Sequence, residues 1–234
     1  MGPKRWGWII LCILALVWSL WFFYSDKIIA RYISVSYRLD ASYKSVVNKN
    51  FREFVFDNLK LMDNKKGTGI LAKSANLKTR SSSKFFGDMI FDMTNVRFIR
   101  KNKTGPASPS NDLTGLITTP FKDNWNYNKV SGAIRSIKGG MHIEDLVALS
   151  EDIKLSFNGD IYDNDTIDGK IRVFFSKKLA DKMFGGFAQA ALDEGTDGWR
   201  SFSADIKGDY KGPSIQVTGK LFRLNIKSVD AAKR

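Results

Sequence analysis

Polar and apolar residues change rhythm once along the chain. From Trp6 to Tyr24 the run WGWIILCILALVWSLWFFY carries no charge. At 1.5 Å per residue it makes a helix of roughly 28 Å, about the thickness of a bilayer core. Trp6 and Trp8 mark one end, Trp21, Phe22, Phe23 and Tyr24 mark the other, and Trp18 belongs to the same anchor. Aromatic belts of this kind sit at membrane interfaces. The run is longer than the apolar part of a signal peptide and no small-residue cleavage site follows it, so it reads as a retained signal-anchor over 1–25. Lys4 and Arg5 precede it, and Lys27, Arg31, Arg38 and Lys44 follow, so flanking charge does not fix its orientation. With five residues before the helix, translocation of the C-terminal part is the simplest topology. Residues 26–50 read as a juxtamembrane junction, helical around KIIARYI.

Beyond the junction the apolar period falls to two. In EFVFDNLKLM, Val55, Leu59 and Leu61 share one parity, and Phe54 and Phe56 the other. Phe85, Met89, Phe91 and Met93 share a face, then Val96 and Phe98 switch parity near Thr94–Asn95, which predicts a bulge or bend. Ile153, Leu155 and Phe157 alternate with polar residues, as do Ile167, Ile171, Val173 and Phe175, and Phe202, Ala204 and Ile206. Ile215, Val217 and Leu221 continue one face and Phe222, Leu224 and Ile226 the other, with a second bulge expected at Gly219. One apolar and one polar face predict an antiparallel sheet. The fold expected for 51–230 is mainly β, a curved, twisted sheet forming a groove or partial barrel.

Asp/Asn/Gly/Pro-rich breaks at 63–69, 163–169 and 208–213 read as turns, and NKTGPASPSND at 102–112 as a loop dividing two strand groups. One helix is expected after Ser176, a credible N-cap, ending at Gly195. Leu179, Met183, Phe184, Phe187 and Ala191 fall on one side of it. It reads as a plug on the sheet, with a mobile lid as the functional alternative. MHIEDLVALSED at 141–152 permits a helix, but its neighbours favour a strand pair.

Composition narrows the chemistry. The net charge is +13, and +11 without Lys4 and Arg5. A tethered basic domain is drawn to anionic lipid or other anionic envelope material. The basic residues are scattered, which also suits an ordinary solvated surface and makes nucleic acid a poor partner. One Cys and one His leave no thiol cluster or multi-His metal site, and they argue against a His-based triad. Cys12 lies within the apolar run, and His142 reads as an ordinary strand or surface residue. Asp163, Asp165 and Asp168 lack calcium-loop spacing and read as a hairpin turn. There is no phosphate-binding glycine loop and no nucleophile elbow. Neither a catalytic constellation nor a cofactor is expected.

Several segments carry a resemblance: Phe56-Asp57-Asn58-Leu59, Ile143-Glu144-Asp145-Leu146, Gly159-Asp160-Ile161, Thr166-Ile167-Asp168-Gly169, and Ile206-Lys207-Gly208 with Gly212-Pro213. Their order after a signal-anchor resembles the AsmA-like proteins of Gram-negative envelopes, and the chain would be a short member. The resemblance implies a single-pass protein of the bacterial inner membrane with a periplasmic β-groove. Its larger members are similar to bridge-like lipid carriers. On that reading the chain is a non-enzymatic protein of lipid handling or outer-membrane biogenesis. Its partners would be the bilayer, phospholipid or another anionic envelope lipid, and envelope proteins. The expected apolar groove includes Phe91, Phe157, Val173, Phe175, Phe187 and Leu221. The alternative is a small bitopic subunit of a secretion or pilus machine, similar in layout to the type II secretion N component. That reading expects a closed core and edge strands open to partners.

Overall fold

The computed structural model describes residues 27, 30, 31, 34, 39–50, 52–63, 67–80, 88–100, 126–195, 197–209 and 213–227. The signal-anchor over 1–25 and the loop over 102–112 lie outside these residues. No helix among the described residues is long and apolar enough to cross a membrane.

From residue 39 onward the described chain is one curved, open antiparallel sheet with one short helix. Its strands are β1 (Asp40–Ser42), β2 (Ser45–Asn50), β3 (Glu53–Asp63), β4 (Thr68–Thr79), β5 (Asp88–Arg100), β6 (Asn126–Ile137), β7 (Gly140–Leu149), β8 (Ile153–Tyr162), β9 (Thr166–Phe175), β10 (Asp193–Glu194), β11 (Arg200–Asp209), β12 (Ser214–Thr218) and β13 (Arg223–Lys227). Helix α1 (Lys177–Ala191) follows β9. From β3 to β9 every strand pairs with its sequence neighbours, and β11, β12 and β13 continue the order. This meander suits the sequence, because short polar turns can only connect antiparallel neighbours. Both flanks are divided: β1 and β2 share the outer edge of β3, and β10 and β12 share that of β11.

Cross-strand register explains the core. Val46, Phe56, Ala75, Met93, Val130, Ala148, Leu155, Val173 and Phe202 pair in turn across nine strands. From Phe56 to Phe202 every member is buried. A strand repeats every two residues, so a row of this kind forms only when all neighbours present the same parity.

Four strands change parity together. Inner positions run Phe54, Phe56, then Leu59, Leu61 on β3; Ile70, Ala72, then Ala75, Leu77 on β4; Phe91, Met93, then Val96, Phe98 on β5; and Tyr127, then Val130 on β6. The switch falls on one transverse line, where Asn58 and Asn95 have positive φ of 52° and 50°. Asparagine tolerates this left-handed conformation. The expected bend near Asn95 is present, and it belongs to a crease crossing β3 to β6. Phe54 and Phe56 therefore share a face with Leu59 and Leu61, whereas alternation alone put them on opposite faces.

Helix α1 starts as expected. The Leu179 amide donates to Ser176 Oγ (3.1 Å), and the Ser176 hydroxyl donates to Asp152 Oδ1 (2.6 Å). Leu179, Ala180 and Leu192 join the core. At the other end Lys220 donates its amide to the Ala191 carbonyl (3.0 Å). The helix thus runs from the end of β9 to the β12–β13 turn, capping one end of the sheet. We call this the α1 end, and the opposite end, with the turns at 138–139 and 163–165, the far end. Ser176→Ala should lower stability by about 1 kcal/mol, read by urea denaturation.

Two expectations are corrected. Residues 27, 30, 31 and 34 are helical, but the junction ends in strand, because residues 40–42 and 45–50 pair with β3. Gly219 is not a bulge in one strand. It opens the turn between β12 and β13, where its amide donates to the Phe222 carbonyl (3.0 Å). The hairpin pairs Val217 with Leu224 and Ile215 with Ile226, which puts these four residues on one face.

Candidate functional site

The inner face is not uniform from end to end. From its middle to the α1 end Phe91 is 6% exposed, Val173 1% and Phe175 0%, so three of the expected groove residues are core filling. Toward the far end a different row crosses the sheet: Ile134, Ile143, Gly159, Gly169, Ile206, Ile215 and Ile226. The two glycines are buried, Ile134, Ile143, Ile206 and Ile215 are half-buried, and Ile226 on the outermost strand is 39% exposed. Met141, Ile161 and Ile167 form the next half-buried row. A solvated sheet end would ordinarily become polar here, and this one stays aliphatic.

The glycine pair shapes the surface. Gly159 and Gly169 pair directly across β8 and β9, leaving a stretch without side chains between Ile143 and Ile206. A β-carbon on Gly159 would meet the Gly169 Cα and stand 2.6 Å from the Asp168 carbonyl oxygen. A β-carbon on Gly169 would stand 2.7 Å from the Phe157 ring. Phe157, half-buried, therefore lies over Gly169, and together with the half-buried isoleucines on either side it makes an apolar strip, which we call the trough. Because its neighbours are backbone atoms, Gly159→Val should cost about 1–3 kcal/mol in urea denaturation.

The other expected groove residues are placed differently. Phe187 lies on α1, and its side chain falls outside the described residues. Leu221 is not on the inner face; it sits in the β12–β13 turn and is 73% exposed. The anchor residues Trp6, Trp8, Trp18, Trp21, Phe22 and Tyr24 lie outside the described residues. No protein-family model, curated protein or solved structure matches the chain.

The outer face is a ladder of charge. Asp88, Arg135, His142, Asp160, Asp168, Lys207 and Ser214 follow one another across β5 to β12. Arg135 and Arg80 both reach Glu144 (3.1 and 3.3 Å), and Lys207 reaches Asp168 (3.2 Å). His142 Nδ1 stands 2.6 Å from Asp160 Oδ1. A carboxylate only accepts, so the ring donates. The Tyr162 hydroxyl donates to Asp160 Oδ2 (3.3 Å), and the negative charge of Asp160 pushes it above the usual tyrosine range. The partner of His142 comes from the β7–β8 register, which sequence spacing did not reveal. On β3, hydrogen bonds from Asn76 and then Lys49 hold the Glu53 carboxyl below its ordinary value.

Cation–aromatic contacts recur on this face, where Lys154 Nζ and the Arg172 guanidinium lie 5.3 and 5.1 Å from the Phe174 ring. A shallow depression of about 560 Å3 on the same face is lined by the polar residues Asp205, Lys207, Ser214, Gln216 and Asn225. Among the described residues no cluster of His, Cys, Asp and Glu could hold a metal ion. The place suited to an apolar ligand is the aliphatic trough at the far end.

Proposed function

We propose that the chain is a non-enzymatic, membrane-anchored envelope protein that shelters an acyl chain of a lipid in the aliphatic trough. It would sit in the bacterial inner membrane with its β-domain in the periplasm, as the likeness to AsmA-like proteins implies. One observation carries this reading: along the row from Ile134 to Ile226 the inner face presents isoleucines that are only half-buried, with Ile226 39% exposed, at the margin of a fully buried core. Each methylene removed from water there contributes about 0.8 kcal/mol. The polar outer face keeps the sheet wet on its other side, as lipid handling requires.

Native mass spectrometry of the full chain after exhaustive detergent exchange tests the proposal. The expected result is an adduct of phospholipid mass in near-equal proportion to protein. A clean protein mass, with secretion subunits co-purifying, would instead support a structural assembly module. That second reading is favoured by the closed middle of the core and by the open flanks at β1, β2 and β13. Against it, Lys49, a bulge between Asn48 and Asn50, and Arg223 and Lys227 are features that protect sheet edges from pairing.

A further inference from the structure

The α1 end collects features that the trough does not use. The chain enters the sheet there: Asp40 pairs with Met62, next to the last residue of β3, so the 39 residues before it, with their uncharged run, join the domain at this end. Lys177, Lys178 and Lys182 on α1 and Lys220 beside its C-terminus are exposed, and none has an ion pair among the described residues. Leu221, 73% exposed, is flanked by Lys220 and close to Arg223. Leu149, 38% exposed, ends β7 at the same end and pairs with Lys154, one of the two cations on Phe174. Exposed acids are present too, Glu151, Asp181 and Asp197, while Glu194 is engaged by Arg200 (3.0 Å). The far end places Asp163, Asp165 and Lys138 at its turns and Asp209 at the end of β11.

We infer that the α1 end lies on the anionic surface of the bilayer that holds the anchor, with Leu221 inserted among the headgroups and the lysines along α1 and at Lys220 on lipid phosphates. The place where the chain enters brings this end to the membrane. An exposed leucine between basic residues has the chemistry of an interfacial contact, because the aliphatic group enters the acyl boundary while the cations remain among the phosphates. The stretch of β9 from Gly169 to Phe175 then holds the trough roughly 20 Å away from that surface. The inference rests on the membrane-anchor part of the proposed function and not on its cargo.

The test uses the full chain in vesicles of phosphatidylethanolamine and phosphatidylglycerol with brominated tails. A Cys12→Ser background carries Leu221→Cys or, at the far end, Asn164→Cys, labelled with a fluorophore. The label at position 221 should be quenched and that at 164 should stay bright. Adding Lys177→Glu, Lys178→Glu and Lys220→Glu should weaken the quenching about tenfold or more. Equal brightness at both positions, in chains that resist carbonate extraction, overturns the docking and leaves the anchor standing. Chains that carbonate removes overturn both, and the acyl cargo is judged separately by its mass adduct.

Discussion

Val173→Asp should unfold the domain, whereas Arg172→Asp, one residue away, should leave it folded. Val173 is 1% exposed in the middle of the apolar row, between Leu155 and Phe202. A carboxylate there has no partner, and leaving a buried charge uncompensated costs about 3–5 kcal/mol, comparable with the whole stability of a small domain. Arg172 points to the solvated face, beside Ser156 and Ser203. Its loss removes the Phe174 contact, worth about 0.5–1 kcal/mol at an exposed site. Circular dichroism against urea reads both variants. Similar destabilisation by the two would contradict a sheet with one dry and one wet face.

Ile206→Arg should empty the trough while the sheet stays folded. Ile206 is half-buried, so its side chain has room to reach water, and Arg can bury its stem while its charged head stays solvated. The same charge would stand beside any acyl chain lying on Gly169 and Phe157. Loss of about two methylene contacts' worth of apolar burial, roughly 1.6 kcal/mol, lowers lipid occupancy at least about tenfold. Native mass spectrometry reads the occupancy, and a urea midpoint near wild type shows that the fold is intact. Unchanged occupancy would remove the trough from lipid binding.

The sequence showed the strands well wherever alternation ran unbroken. Ile153–Phe157, Ile167–Phe175 and Phe202–Ile206 all lie on the strands their period predicted. Ser176 was legible as a cap because its hydroxyl precedes a helical apolar stripe. The crease was legible only on β5, since around Asn58 Val55 shares a parity with Leu59 and Leu61, so Phe54 and Phe56 read as the opposite face rather than as a switch. A left-handed residue in mid-strand leaves no mark on composition beyond being Asn. The hairpin at 219–222 was missed because a turn and a bulge both begin with Gly, and only pairing tells them apart.

The site was less legible than the fold. Burial separates the trough from the core, and burial depends on how far the sheet curves over each row. Phe91, Val173 and Phe175 have the same alternation as Ile206, yet they fill the core and Ile206 does not. Gly159 and Gly169 drew attention only as parts of motifs, and their pairing across β8 and β9 emerged from register. Leu221 shared a parity with Ile215 and Val217, and the turn took it off the sheet.

Photo-crosslinking from the trough is the most direct test of lipid shelter. A diazirine amino acid in place of Ile206, or of its outward neighbour Lys207, is installed in the full chain in native membranes and irradiated. The expected result is an acyl-lipid adduct from position 206 and none from 207, identified by mass. Adducts of equal yield from both positions, or none from 206, would contradict it.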